Sequence, residues 1–241
     1  MTSEDTVDTI WSEKIRIRQP KKGYRFGIDS VLLAHFIQLS SQEEALEIGC
    51  GTGVVLLLLA HLQEFKRLVG VELQHELATY AKSNLELNHV SDAEVIEADA
   101  NFLHEILSLR SFDFIFSNPP YRKVGKGRLN PFHQKAVARH ELKMTLQDLF
   151  VCAERFLKPE GRLTVILPEF REKDFLELVM RYGYFWREKR YVHSFAEQPC
   201  AFFLATVGKT SGPLRIQDRL VIYDSPGCYT TEVSLLLREP G

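Results

Sequence analysis

The sequence predicts an α/β fold: a mostly parallel sheet with helices on both faces and an antiparallel pair added at one edge. Two observations carry this. Short apolar runs alternate with helical patterns through residues 45–181, which implies right-handed βαβ crossovers and a sheet buried on both sides. After residue 188 the pattern changes to two strand-like runs, 189–193 and 201–207, with only Ser194 to Cys200 between them. That spacing suits a hairpin-like pair, not a crossover.

Residues 24–36 carry a helix signature, with Asp29 or Ser30 placed to cap the run Val31-Leu32-Leu33-Ala34-His35-Phe36. Because it precedes the first strand, this helix should pack across the mouth of the sheet. Residues 45–48 form the first strand, ended by Gly49, and 54–62 form a helix apolar nearly all round, hence buried. A strand at 68–71 and a helix at 74–88 follow, with Leu77, Tyr80, Ala81, Leu85 and Asn88 at helical spacing. The third and fourth strands fall at 95–96 and 112–116. An amphipathic helix at 145–157 stops at Lys158-Pro159-Glu160-Gly161, a fifth strand covers 162–167, and a helix at 170–181 stops at Gly183. An extended piece at 219–223 precedes Asp224-Ser225-Pro226-Gly227. The expected organisation is an N-terminal extension with its covering helix (1–44), a core (45–207) and an extended tail packed on it (208–241).

With 241 residues, 45% apolar and 26% charged, the chain can bury one sizeable core. Its longest apolar stretch, 54–60, is stopped by His61, too short to span a bilayer, so no membrane partner is expected. The first 13 residues hold Glu4, Asp5, Asp8 and Glu13 and no Lys or Arg, unlike a secretory signal. Cys50, Cys152, Cys200 and Cys228 are widely spaced, which suggests neither a zinc site nor a disulfide framework and fits a reducing cytoplasm. The net charge of −2 argues against a dedicated nucleic-acid binder. Its distribution argues otherwise: from Asn118 to Lys143 the chain is locally +6, with Arg122, Lys123, Lys126, Arg128, Lys135, Arg139 and Lys143 against Glu141. Such a patch can contact phosphates, although a solvated loop would look the same.

That patch begins at the most informative motif, Asn118-Pro119-Pro120-Tyr121, which follows the fourth strand directly. The carboxyl ends of parallel strands are where open α/β sheets bind ligands. Asn118 offers a side-chain carbonyl, proline fixes where neighbouring carbonyls point, and Tyr121 offers a flat face. Such a group can accept both N–H bonds of a planar amine and stack on the ring that bears it. The plain alternative is a strand followed by a turn.

The other strand ends carry matching signals. Glu47-Ile48-Gly49-Cys50-Gly51-Thr52-Gly53 spaces its glycines G-x-G-x-G, not G-x-G-x-x-G, and the preceding acid suits a ligand ammonium better than a pyrophosphate. That points to a cofactor with an amino-acid moiety. Glu72 closes the second strand, where a carboxylate can accept from both ribose hydroxyls, or simply favour the next helix start. Asp99 follows the third strand, where it can accept from an adenine amine or serve as a cap. In a parallel sheet these ends share one edge.

With those motifs in that order, the chain resembles the class I S-adenosylmethionine-dependent methyltransferases over roughly residues 20–207. The resemblance implies a Rossmann-like, seven-stranded, mostly parallel sheet with an antiparallel strand near one edge. It implies S-adenosylmethionine as cofactor, held by Glu47, Gly49, Gly51, Gly53, Glu72, Leu73, Asp99, Ala100 and Asn118. It also implies catalysis by Asn118, Pro119, Pro120 and Tyr121 on a planar nitrogen, with no metal. Gln19-Pro20, the stretch from Tyr24 to Ala34, Ala138-Arg139-His140-Glu141, and Tyr223-Asp224 with Gly227, Tyr229 and Thr230 look like bacterial tRNA(Val) adenine-N6 methyltransferases. The partner this implies is RNA, most specifically tRNA beside the anticodon, with Arg122, Lys123, Lys126, Arg128, Lys135 and Arg139 as its contacts. His133 and His140 then read as RNA or structural contacts. The oligomeric state stays open.

Four rivals share the chemistry or the layered α/β architecture. A protein-glutamine methyltransferase needs no basic rim and usually carries a helper domain, for which some 44 leading residues are too few. A DNA adenine methyltransferase would want a separate target-recognition domain. A non-catalytic RNA-binding module would predict a damaged glycine loop or tetrapeptide, and both are intact. A nicotinamide dehydrogenase is disfavoured by the glycine spacing and by Glu47.

Overall fold

The computed structural model describes residues 5–11, 14–23, 25–119 and 144–238. The chain opens with an antiparallel hairpin, β1 (Asp5–Ile10) and β2 (Ile15–Pro20), which lies outside the elements expected from the sequence. Its inward face is supplied by alternation: Ile15 and Ile17 are fully buried, whereas Arg16 is exposed. Helix α1 (Ile28–Phe36) lies within the expected stretch but starts ahead of the expected cap, so neither Asp29 nor Ser30 caps it. Gly27 occupies the N-cap with extended backbone, and both side chains lie inside the first turn, where they make bonds described below.

Five strands then run parallel: β3 (Glu44–Ile48), β4 (Arg67–Glu72), β5 (Ala93–Glu97), β6 (Phe112–Ser117) and β7 (Leu157–Pro168). Between them lie α2 (Val54–Leu62), α3 (His75–Leu87), a 3-10 turn at Ala100–Glu105, and α4 (Leu146–Phe156). Helix α5 (Glu172–Arg181) leads into β8 (Phe185–His193) and β9 (Cys200–Gly208). The sheet order is β5-β4-β3-β6-β7-β9-β8, with β9 antiparallel to both neighbours. This is the expected seven-stranded arrangement. The tail adds two short pieces, β10 (Arg215–Ile216) and β11 (Leu220–Val221), parallel to the outer edge of β8. They cover backbone groups that an edge strand would leave unpaired. A small hairpin, β12 (Tyr223–Ser225) with β13 (Cys228–Tyr229), and helix α6 (Thr231–Leu236) follow.

The core has two layers, one on each face of the sheet. On one face α1, α2 and α3 pack with the N-terminal hairpin and α6, and Leu56, Leu57, Leu58 and Leu59 of α2 are completely buried. A nine-residue helix is marginal alone. Burying each leucine contributes about 1.5–3 kcal/mol, so packing, not propensity, holds α2. On the other face α4 and α5 bury Phe150, Phe156 and Phe175. Thr145 and Asp148 close a reciprocal capping box at the start of α4. Both chain ends are tied to α1: the Trp11 indole donates to the Leu236 carbonyl at 3.1 Å, and His35 Nε2 lies 2.9 Å from the same oxygen. Burial pulls the His35 pKa down against the opposing pull of this bond, and because a carbonyl can only accept, Nε2 is the donor there.

Candidate active site

In the parallel core β4 and β5 extend from one side of β3, while β6 and β7 extend from the other. The chain therefore reverses its direction of travel between β3 and β6, and a crevice opens at their carboxyl ends. Glu47 on β3 stands opposite Phe116 on β6, so carrying that register forward brings Asn118 level with Gly49. The Ser117 hydroxyl donates to the Ile48 carbonyl at 2.7 Å and locks the two ends together.

The loop after β3 turns on left-handed glycines: Gly49, Gly51 and Gly53 have φ of +76°, +57° and +78°. Its N–H groups point inward. Gly49 and Cys50 donate to the Val71 carbonyl at 2.8 and 3.0 Å, and Gly51 donates to Glu72 Oε2 at 2.9 Å. These donors are spent on β4, so the loop is no phosphate cradle. A side chain at Gly53 would also strike α3, since a Cβ there would sit 3.1 Å from the Ala81 Cβ and 3.2 Å from its Cα.

Glu47 is 1% exposed, and its Oε2 has no hydrogen-bond partner among the described residues. Burial, reinforced by the nearby Glu72 charge, pushes its carboxyl pKa well above the usual range. A buried acid of this kind ionises readily only when a cation is brought beside it. Glu72 is buried and braced: Oε1 accepts from the Gln74 backbone N–H at 2.9 Å while Oε2 holds the glycine loop. Leu73 beside it is half-buried. Asp99 caps the 3-10 turn, accepting from the Asn101 backbone and side-chain nitrogens at 2.9 and 3.0 Å. Ala100 is buried, with its carbonyl accepting from the Cys152 thiol. Asn118 is half-buried and Pro119 buried. Asn118 Nδ2 donates to Asp29 Oδ2 at 3.1 Å and lies 3.4 Å from Ser30 Oγ. Pro120, Tyr121, Arg122, Lys123, Lys126, Arg128, Lys135 and Arg139 lie outside the described residues.

Three further features belong to this rim and were not read from the sequence. Asp29 and Ser30 reach Asn118 from α1. Thr52 is 1% exposed, and its Oγ1 has no partner among the described residues. Asn84 of α3 is fully buried. Its Nδ2 donates to the Thr52 carbonyl at 2.9 Å and the Arg18 carbonyl at 2.8 Å, and its Oδ1 accepts from the Arg18 N–H at 2.8 Å. Among the described residues, no group of three or more His, Cys, Asp or Glu is placed to hold a metal, and no helix is long and apolar enough to cross a membrane.

The donor set fits S-adenosylmethionine: a buried carboxyl oxygen without a partner among the described residues to meet a cation, glycines that admit close approach, and loop N–H groups at Gly49, Cys50 and Gly51 already committed to β4. Sheet order, antiparallel β9 and this rim define a class I, S-adenosylmethionine-dependent methyltransferase. Residues 25–190 match the model of the methyltransferase small domain, and the chain belongs to that family. A relative from Porphyromonas gingivalis named tRNA1(Val) (adenine(37)-N6)-methyltransferase is 33% identical over 175 residues, covering 70% of this chain and 68% of the relative. One of the same name from Trichodesmium erythraeum is 28% identical over 234 residues, covering 94% and 95%. Among solved structures, a predicted O-methyltransferase from Agrobacterium tumefaciens superposes with a TM-score of 0.66 at 19% identity, over 86% of this chain and 94% of that one. P. horikoshii TYW2 in complex with MeSAdo gives 0.59 at 14% identity, over 87% and 73%. These likenesses support the fold.

Proposed function

We propose that this chain methylates the exocyclic N6 of an adenine in RNA, most specifically tRNA beside the anticodon, as its relatives are named to do. The observation that carries the chemistry is the Asn118 amide, anchored through its nitrogen by Asp29 and Ser30 at the carboxyl end of β6. When bound, S-adenosylmethionine supplies an electrophilic methyl group on its sulfonium. Glu47 would hold its ammonium, Glu72 its ribose hydroxyls and Asp99 its adenine amine, with Gly49, Gly51, Gly53, Leu73 and Ala100 shaping the walls.

The adenine amine is a poor nucleophile because its lone pair is delocalised into the ring. Asn118 Oδ1 and the Pro119 carbonyl accept its two N–H bonds, which draws the nitrogen toward tetrahedral geometry and aims its lone pair. Each aimed acceptor contributes about 2–4 kcal/mol, by comparison with a preorganised oxyanion donor. Alignment for in-line displacement supplies much of the rest. In this proposal Pro120 stiffens the loop and Tyr121 stacks on the extruded base, a contact worth about 1–3 kcal/mol. An RNA loop presents such a base cheaply. Arg122, Lys123, Lys126, Arg128, Lys135 and Arg139 contact phosphates. Residues 1–44 serve as the cover of the cofactor mouth, 45–207 as the catalytic core and 208–241 as its packed tail.

Labelled methyl transfer to total tRNA, total rRNA and protein extract in parallel, followed by nucleoside digestion, tests this. N6-methyladenosine in tRNA is expected. Incorporation into protein alone overturns the RNA assignment.

A further inference from the structure

Resting on that reading of Asn118, we infer that Asp29 is a positioning residue that sets which end of the Asn118 amide faces the substrate. An asparagine side chain can flip by 180° about its last bond at little intrinsic cost, which exchanges a hydrogen-bond acceptor for two donors. The acceptor mechanism works in only one of the two orientations. In the flipped state an NH2 group would meet the target amine.

The structure supplies a reason for a single orientation. Asp29 Oδ2 accepts from Asn118 Nδ2 at 3.1 Å, and Ser30 Oγ lies 3.4 Å from the same nitrogen. A flip would set Asn118 Oδ1 against a carboxylate, acceptor against acceptor. The amide therefore keeps its nitrogen toward α1 and turns its carbonyl the other way. The carboxylate is itself held, because Asp29 Oδ1 accepts from the Ser30 N–H at 3.0 Å. Space is kept for it by Gly27, where a Cβ would stand 2.7 Å from Asp29 Oδ1. The φ of Gly27 is −121°, which any residue adopts, so the room left for Asp29 is what a glycine provides at this position. A carboxylate in the first turn of α1 also suits the helix dipole. That role alone would make Asp29 a stabiliser of α1, and the test separates the two.

Asp29→Ala is expected to lower single-turnover kcat on tRNA roughly 10–100-fold, the scale of one charge-assisted hydrogen bond. KM for tRNA, cofactor Kd and Tm should stay close to wild type. Gly27→Ala, which crowds the carboxylate without touching Asn118, should lower kcat in the same direction. The reciprocal exchange is the sharper arm. Asn118→Asp places two carboxylates together and should be nearly inactive. Adding Asp29→Asn restores a donor facing an acceptor and should recover at least tenfold over Asn118→Asp alone.

One readout needs no substrate. The side-chain NH2 resonances of Asn118, identified by their loss in Asn118→Ala, should shift and exchange faster with solvent in Asp29→Ala. A wild-type enzyme inactive on tRNA would sink the substrate reading, and the NH2 resonances would still decide the inference. Unchanged resonances, an unchanged kcat in Asp29→Ala, a fall in Tm or cofactor affinity matching the fall in kcat, or no recovery in the exchanged pair would each overturn it.

Discussion

Glu47→Gln should make the protein more stable and a poorer binder of its methyl donor, and the stability gain should grow with pH. Glu47 is 1% exposed with an unpartnered Oε2, and burial followed by the Glu72 charge raises its pKa well above the ordinary 4.5. In the unfolded chain it loses its proton near that ordinary value, whereas the folded protein keeps the proton to higher pH. Between those two pH values the native state binds one proton more than the unfolded state. Native stability therefore falls as pH rises, by about 1.4 kcal/mol per pH unit for one proton. Below the ordinary value both states are protonated and the slope vanishes. Glutamine has the same shape and no proton to lose, so its curve lacks this slope. For as long as folded Glu47 keeps its proton, the gap between variant and wild type widens with pH. Urea unfolding of both proteins at half-unit steps from pH 4.5 to 8 measures it. Calorimetry should show cofactor affinity reduced about 10–100-fold in the variant, because a neutral amide cannot neutralise an ammonium. It should also show proton release on binding to wild type when buffers of different ionisation enthalpy are compared. Parallel stability curves, or equal affinity, would refute the reasoning.

Other outcomes are specific. Asn118→Ala should abolish methyl transfer while cofactor affinity, by calorimetry, changes less than about threefold; near-native turnover would remove the acceptor mechanism. Glu72→Gln should weaken cofactor binding and loosen the glycine loop, because its Oε2 holds the Gly51 N–H; unchanged affinity and unchanged amide exchange at Gly51 would contradict this. Gly53→Ala should cost about 1–2 kcal/mol from its left-handed φ and more from its contact with the α3 backbone. Gly183→Ala, also at positive φ but with open space around its Cβ, should show only the first cost in the same denaturation assay.

Much of the sheet was legible because its elements are defined by local pattern. The apolar run at 54–62 appears as α2 with those bounds, and the strands at 45–48, 68–71 and 112–116 gain only a residue or two. The stop at Lys158-Pro159-Glu160-Gly161 does end α4, at Phe156, but those residues are absorbed into a longer β7. The N-terminal hairpin was not legible: β1 reads Asp5-Thr6-Val7-Asp8-Thr9-Ile10, polar enough to pass for an arm, and only pairing with β2, itself seated against α3, makes it a strand. Asp29 before an apolar run looks like a cap, and the bond that gives it meaning comes from a residue 89 positions away. Asn84 sits on the buried face of α3, where a polar side chain gives no apolar signal. Its partners are backbone groups of β2 and of the glycine loop, which no sequence spacing reveals.

That asparagine makes the two ends of one problem inseparable. The carbonyl of Thr52 and both backbone polar groups of Arg18 converge on a single buried amide. Shortening the protein by its first twenty residues would take the partners from Asn84 Oδ1 and from one of its two amide hydrogens, leaving only its bond to Thr52 to fix the amide that steadies the turn between β3 and α2. A truncation made far from the methyl-transfer chemistry should thus show up first as a loss of donor affinity.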